Sequence, residues 1–167
     1  MKYIIKNKII SFGAGSTIRD EAGNDLFTVK GAVFTFTKKK TLRDMSNKDL
    51  YVVKNKFFNF PLPKVYICDP TGAKLMMVKK KKLFGLRQNF EIIPLADTAP
   101  HWDISGDYIG RNYSINENGA SIAEVRKNFN LIKDSFWLTT EDARAPLMIA
   151  LVIAIDNYYD KLKNEQR

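Results

Sequence analysis

Four stretches of this chain align without gaps, and a chain assembled from such units has few ways to fold. They begin at Asp20 (D-E-A-G-N-D-L-F-T-V-K), Asp44 (D-M-S-N-K-D-L-Y-V-V-K), Asp69 (D-P-T-G-A-K-L-M-M-V-K) and Asn116 (N-E-N-G-A-S-I-A-E-V-R). Three residues past the opening Asp or Asn stands Gly23, Asn47, Gly72 or Gly119, and six past it Leu26, Leu50, Leu75 or Ile122. Nine past it comes a valine followed by a base: Val29-Lys30, Val53-Lys54, Val78-Lys79 and Val125-Arg126. An Asp or Asn side chain accepts backbone hydrogen bonds in a tight turn, and Gly or Asn takes the left-handed position that the turn requires. The residues before the turn alternate, and those after it are β-branched, aromatic or long and apolar, as a returning strand needs. Each unit is therefore expected to be a β-hairpin whose turn opens at the Asp or Asn. The starts lie 24, 25 and 47 residues apart, so the spacing predicts a degenerate further copy between Asp69 and Asn116.

Hairpins in series cannot bury their apolar faces singly and must wrap together. Residues 87–93, 102–108, 111–115 and 130–139 also read as strands, which raises the total to about ten to twelve. After Thr140 the period changes. Glu141 and Asp142 place acidic charge near a helix start, and Pro146 suits a first turn. Leu147 to Ile155 is then apolar on every side of a helical wheel, so the helix must be enclosed on all sides. Burying Leu147, Met148, Ile149, Leu151, Val152, Ile153 and Ile155 is worth roughly 10–20 kcal/mol gross, at ~1.5–3 kcal/mol per side chain. The axis of a barrel is the natural place for it. Asp156, Asn157, Asp160, Lys161 and Lys163 are read as the point where the helix meets water. The expected fold is mainly β: a closed antiparallel barrel of about twelve strands, built from repeated hairpins around a buried hydrophobic C-terminal helix. It is read as one domain over residues 1–167, with strands to residue 140 and the helix over about 143–163.

The charge is unevenly placed. Residues 1–90 carry 19 Lys and Arg against 6 Asp and Glu, whereas residues 91–167 carry 8 against 12, for nets of +13 and −4. A basic half favours an anionic partner such as lipid head groups, nucleic acid or an acidic protein. Lysines also blunt exposed sheet edges and keep them soluble, which is the plainer explanation. One cysteine, Cys68, and one histidine, His101, can form neither an internal disulfide nor a zinc site. No metal or cofactor is expected, and the lone thiol fits a reducing, cytoplasmic compartment. Lys2, Lys6 and Lys8 interrupt the apolar start, so residues 1–10 read as a strand rather than a targeting signal. The apolar run 145–155 is too short for the ~20 residues of a membrane span.

The train of hairpins closed by one hydrophobic helix resembles the LURP-one-related family of the tubby C-terminal-like superfamily. The resemblance covers nearly the whole chain. It is carried by Lys6 to Phe12 (K-N-K-I-I-S-F), by the D-x-x-G hairpins ending in V-K, by Trp102-Asp-Ile-Ser-Gly106-Asp107, and by Ala150 to Asp156. It implies a twelve-stranded barrel threaded by the C-terminal helix. Tubby domains, which bind phosphoinositides, and phospholipid scramblases are the better-known relatives. The palmitoylated or proline-rich segments of scramblases are absent here, and no phosphoinositide motif maps residue by residue, so neither activity is implied.

The candidate site is basic: Lys38, Lys39 and Lys40, then Lys79, Lys80, Lys81 and Lys82, with Arg87 close behind. Both runs follow a returning strand, so they are expected to cluster at one part of the surface. Each lysine near an anionic bilayer contributes about 1 kcal/mol, falling with salt. Phe57, Phe58, Phe60 and Phe84 lie close in sequence and belong either to the core or to a lipid interface. No catalytic residue is assigned. His101 would be the sole imidazole base, Cys68 reads as a small buried hydrophobe, and Gly13-Ala-Gly-Ser16 lacks the lysine and helix of a phosphate loop. The expectation is a non-catalytic, monomeric binding or scaffold domain, cytoplasmic or peripheral at a membrane, with anionic phospholipid or an acidic protein as partner. Nucleic acid ranks below these, since no recognition helix or ribonucleoprotein motif is present.

Overall fold

The computed structural model describes residues 1–6, 16–31, 39–56, 63–80, 90–107, 112–128 and 135–165. Its strands are β1 (Lys2–Lys6), β2 (Ser16–Arg19), β3 (Asp25–Gly31), β4 (Lys40–Asp44), β5 (Asp49–Asn55), β6 (Lys64–Cys68), β7 (Lys74–Lys80) and β8 (Phe90–Pro94). They continue with β9 (Trp102–Asp107), β10 (Asn112–Glu117), β11 (Ala120–Asn128) and β12 (Ser135–Thr139), and the helix α1 (Ala145–Glu165) closes the series. All twelve strands form one antiparallel sheet in the order β8-β7-β6-β5-β4-β3-β2-β1-β12-β11-β10-β9. The sheet curls into a nearly closed barrel with α1 inside, as the repeat and the apolar tail required.

The hairpins owe their turns to the expected chemistry in three cases. Asp20, Asp44 and Asp69 each accept a backbone N–H through Oδ1 from the residue four places on, at 2.8, 2.9 and 3.0 Å. Their main-chain carbonyls accept from Gly23, Asn47 and Gly72, which stand at φ of 89°, 63° and 97°. The fourth hairpin differs. Asn118 and Gly119, at φ 52° and 79°, form a two-residue connection between the paired Glu117 and Ala120. Asn116 therefore opens no turn; it lies within β10 and donates from Nδ2 to Asp103 Oδ2 and Ser105 Oγ. The further hairpin expected between Asp69 and Asn116 is also absent. β8 and β9 fall there, and they are the two ends of the sheet rather than a pair.

One inner face is common to every unit. Val29, Val53, Val78 and Val125 are fully buried, and each following base turns outward, because successive strand residues face opposite ways. The helix α1 packs on this face chiefly at β5 and β6, and also at β7. Every residue from Leu147 to Ile155 is buried. Two of the polar residues that follow do not yet meet water, contrary to expectation: Asp156 is 2% exposed and Asn157, like Tyr158, 0%, while the side chains of Asp160, Lys161 and Lys163 lie outside the described residues. The barrel encloses one further turn of helix than the apolar run suggests. Tyr158 is held edge-on against Phe90, ring centroids 4.9 Å apart.

The entry to α1 is clamped. Arg144 donates to both oxygens of Glu117 on β10 at 2.7 and 2.8 Å and to Asp142 at 2.5–3.2 Å, while Trp102 Nε1 donates to Glu117 at 3.2 Å. Hydrogen bonding from Arg144 is the main reason that both carboxyls sit below their ordinary pKa values of 4.5 and 3.8. A carboxyl depressed in the folded state contributes stability above its unfolded value and loses it as pH falls through the folded one. The wild-type thermal midpoint is therefore expected to decline once pH drops below about 4.5. Arg144→Ala should lower the midpoint at neutral pH and flatten that decline, as thermal melts across the acid range will read; an unchanged acid slope would remove the clamp from the account.

Candidate anionic-ligand interface

The antiparallel order gives the barrel two unlike ends. At the hairpin end lie the turns of residues 20–24, 44–48, 69–73 and 118–119 and the start of α1. Four bases there are matched with acids, Lys2 with Glu21 at 2.5 Å, Arg19 with Asp25 at 2.6 Å, Arg43 with Asp49 at 2.5 Å, and Arg144 with Glu117, while Lys48 is exposed in its turn and Lys74 lies over the Tyr66 ring. The Met1 amine reaches Glu141 as well. At the opposite, open end the base after each repeat valine comes out: Lys30, Lys54 and Lys79 on β3, β5 and β7, and Arg126 on β11. Lys39, Lys56, Lys64 and Lys80 join them at neighbouring strand termini. The repeat itself thus polarises the molecule, with Asp at the turn and a base one strand-length away.

Of the basic residues singled out in the sequence, Lys38, Lys81, Lys82 and Arg87 lie outside the described residues, as do Phe57, Phe58, Phe60 and Phe84. Lys39 is exposed at the open end, and Lys79 and Lys80 are half-buried at the end of β7. Lys79 Nζ is 3.2 Å from Glu91 on β8. Lys40 points the other way. It shares the inner face with Leu42, is 8% exposed, and brings Nζ to 3.8 Å from Asp156 Oδ2 on α1. The run Lys38-Lys39-Lys40 is therefore not one solvated patch, because a strand must send alternate residues inward.

The residues that sequence reasoning passed over are Lys30, Lys54, Lys56 and Lys64. For Lys30 and Lys54 the signal was the valine-base pair of the repeat, read as a mark of periodicity and not as a position in space; Lys56 and Lys64 carried none. Register brings them together. Lys64 and Lys79 are direct cross-strand partners beside the buried pair Val65 and Val78, so both project from the outer face. The Lys56 N–H donates to the Lys64 carbonyl at 2.8 Å. Like charges directly opposed across two strands cost stability.

Cys68 is fully buried, and burial pushes its thiol up, with Lys54, Lys74 and Asp69 as the charges acting on it. His101 is exposed just ahead of β9. Among the described residues no three His, Cys, Asp or Glu side chains stand close enough to hold a metal ion, and no helix is long and apolar enough to cross a membrane.

The fold and the order of its parts find a match. Residues 1–156 match the LURP-one-related family. The chain belongs to that family. The LURP-one-related barrel is also similar to the X-ray structure of an Arabidopsis thaliana protein, with TM-score 0.60 and 18% identity over 93% of this chain and 90% of that one. At that identity the likeness is one of fold. No curated protein sequence matches.

Proposed function

We propose that this LURP-one-related domain is a non-catalytic binding module of the cytoplasm that attaches reversibly to anionic phospholipid at a membrane surface. The observation that carries the reading is the gathering of bases at the open end, where Lys64 and Lys79 are cross-strand partners, Lys39, Lys56 and Lys80 stand at neighbouring strand termini, and Glu91 pairs with Lys79. Lys39, Lys79 and Lys80 belong to the interface, together with Lys38, Lys81, Lys82 and Arg87 of the connecting segments. Lys40 is assigned to the core instead. Attraction of this kind is worth about 1 kcal/mol per lysine near the surface and fades within a Debye length.

The test is co-sedimentation with anionic and zwitterionic vesicles at low and physiological salt. Binding should need anionic lipid, weaken with salt, and fall by orders of magnitude when Lys79 to Lys82 become Ala, at ~1 kcal/mol for each. Absence of binding at low salt would reject the reading. A second reading, a protein-interaction module, would then take precedence; its support is the pair of sheet edges that β8 and β9 do not close against each other.

A further inference from the structure

We propose that Asn118 is a site of spontaneous covalent modification, where the chain converts a side-chain amide into aspartate and isoaspartate, and that the change loosens the seat of α1. Asn118-Gly119 is the one Asn-Gly step in the sequence. It forms the bare two-residue link between β10 and β11, with both residues exposed and in the left-handed region. Glycine carries no side chain to shield its nitrogen, and a Cβ built on Gly119 would meet nothing within 4 Å. Among the described residues neither the Gly119 N–H nor the Asn118 side chain makes a hydrogen bond. Other asparagines of the hairpins lack this freedom. Asn24 Nδ2 is held by Asp20 Oδ2 at 2.8 Å, and the nitrogen that follows Asn47, that of Lys48, donates to Asp44 Oδ1 at 2.9 Å. Asn116, two places before Asn118, donates from Nδ2 to Asp103 and Ser105.

The Gly119 nitrogen, on losing its proton to solvent base, adds to Asn118 Cγ. The Cγ–Nδ2 bond then breaks and Nδ2 leaves as ammonia, which closes a succinimide ring. Nucleophile and carbonyl belong to adjacent residues, so the attack is unimolecular. Water opens the ring at either carbonyl. Breaking the new bond to Cγ leaves aspartate; breaking the original peptide bond leaves isoaspartate, whose main chain runs through Cβ and Cγ. The net change turns one amide and one water into one carboxylate and one ammonium. The added backbone atom falls next to Glu117, whose two oxygens accept from Arg144 at 2.7 and 2.8 Å and which also accepts from Trp102 Nε1 at 3.2 Å. A two-residue link sets the register of the strands it joins. Lengthening it shifts Glu117 against Ala120 and draws the acceptor away from Arg144 at the entry to α1.

The test is to age the folded protein at mildly alkaline pH and physiological temperature, then to combine tryptic peptide mapping, enzymatic carboxyl methylation of isoaspartate and thermal melts. Residues 112–126 make one tryptic peptide that carries Asn112, Asn116 and Asn118, so two neighbours serve as internal controls. Asn118 should convert on the order of tenfold faster than either, because its nucleophile alone is unshielded and untethered. The aged protein should melt about 2–4 °C lower than the fresh one. Asn118→Gln should keep its midpoint on ageing. Asn118→Asp, which adds the charge and leaves the backbone at its normal length, should melt as the fresh wild type does. Conversion of Asn112 or Asn116 ahead of Asn118 would overturn the site. Conversion at Asn118 with no change of midpoint would overturn the link to α1, and an equal loss in Asn118→Asp would overturn the part given to the lengthened backbone.

Discussion

Val152→Asp is expected to abolish cooperative unfolding, leaving a chain with no native baseline in a urea titration followed by circular dichroism. Val152 is 2% exposed in the middle of α1, between Leu151 and Ile153, which are also buried. The barrel wall around the helix is apolar there: Val53, Val65, Ile67, Met76 and Val78 are all fully buried. A carboxylate at this place stands one turn before Asp156 on the same helix face, where Lys40 already has that carboxylate opposite it, and the second buried charge costs several kcal/mol even after relaxation. A domain of this kind commands only about 5–15 kcal/mol in total. The helix cannot evade the charge by rotating, because every turn from Leu147 to Ile155 offers apolar surroundings alone. Val152→Ile separates charge from volume. It should cost ~1–3 kcal/mol through overpacking and keep a sharp transition. A Val152→Asp protein that unfolds cooperatively near the wild-type midpoint would show that the helix does not supply the core.

The second large effect concerns the ion pair inside the barrel. Asp156→Ala is expected to destabilise the fold by about 3–5 kcal/mol, since it removes the counter-charge of the Lys40 ammonium where water has little access. Lys40→Met should cost a comparable amount by removing the counter-charge of the carboxylate. The double variant Lys40→Met/Asp156→Leu should recover most of the loss, because replacing a buried pair with apolar side chains of similar volume is often neutral or stabilising. A double-mutant cycle by chemical denaturation reads this directly, and additive single losses would show that the two groups, 3.8 Å apart, do not act as a pair. The same variants bear on function. Lys40→Met should lose stability while its vesicle binding, corrected for folded fraction, remains that of the wild type. That outcome sets Lys40 apart from Lys39, its neighbour in sequence.

Much of this architecture was legible in the chain because its determinants are local. The turn residues Asp20, Asp44 and Asp69 act on amides at most four places away, and the all-apolar tail states its own burial. Asn116 misled because Asn118-Gly119 is a complete two-residue turn, which moves the opening residue back into the strand. The supposed missing copy misled for a different reason. Even spacing says how many strands a stretch can hold, and it does not say which of them pair. The inward turn of Lys40 follows from alternation with Leu42, so it lay within reach of sequence reasoning. Its partner Asp156 did not, since that contact joins residues 116 positions apart through the helix axis. The basic residues were half-visible: Lys30, Lys54 and Lys79 recur with the repeat, whereas Lys39, Lys56 and Lys64 follow no motif and are brought near only by the strand order.

The break in the barrel does not coincide with the described ends of the chain. β1 lies inside the sheet, bonded to β12, while the outer strands β8 and β9 come from the middle of the sequence. During synthesis the chain therefore lays down one meander, β1 to β8, and then a second, β9 to β12, and the two are stitched only when residues 135–139 find residues 2–6. Until that late, long-range pairing forms, β1 presents a bare edge and the barrel wall has no helix to close around. A nascent chain stalled before residue 135 should hold an open, adhesive sheet, which β12 and α1 turn into the nearly closed barrel.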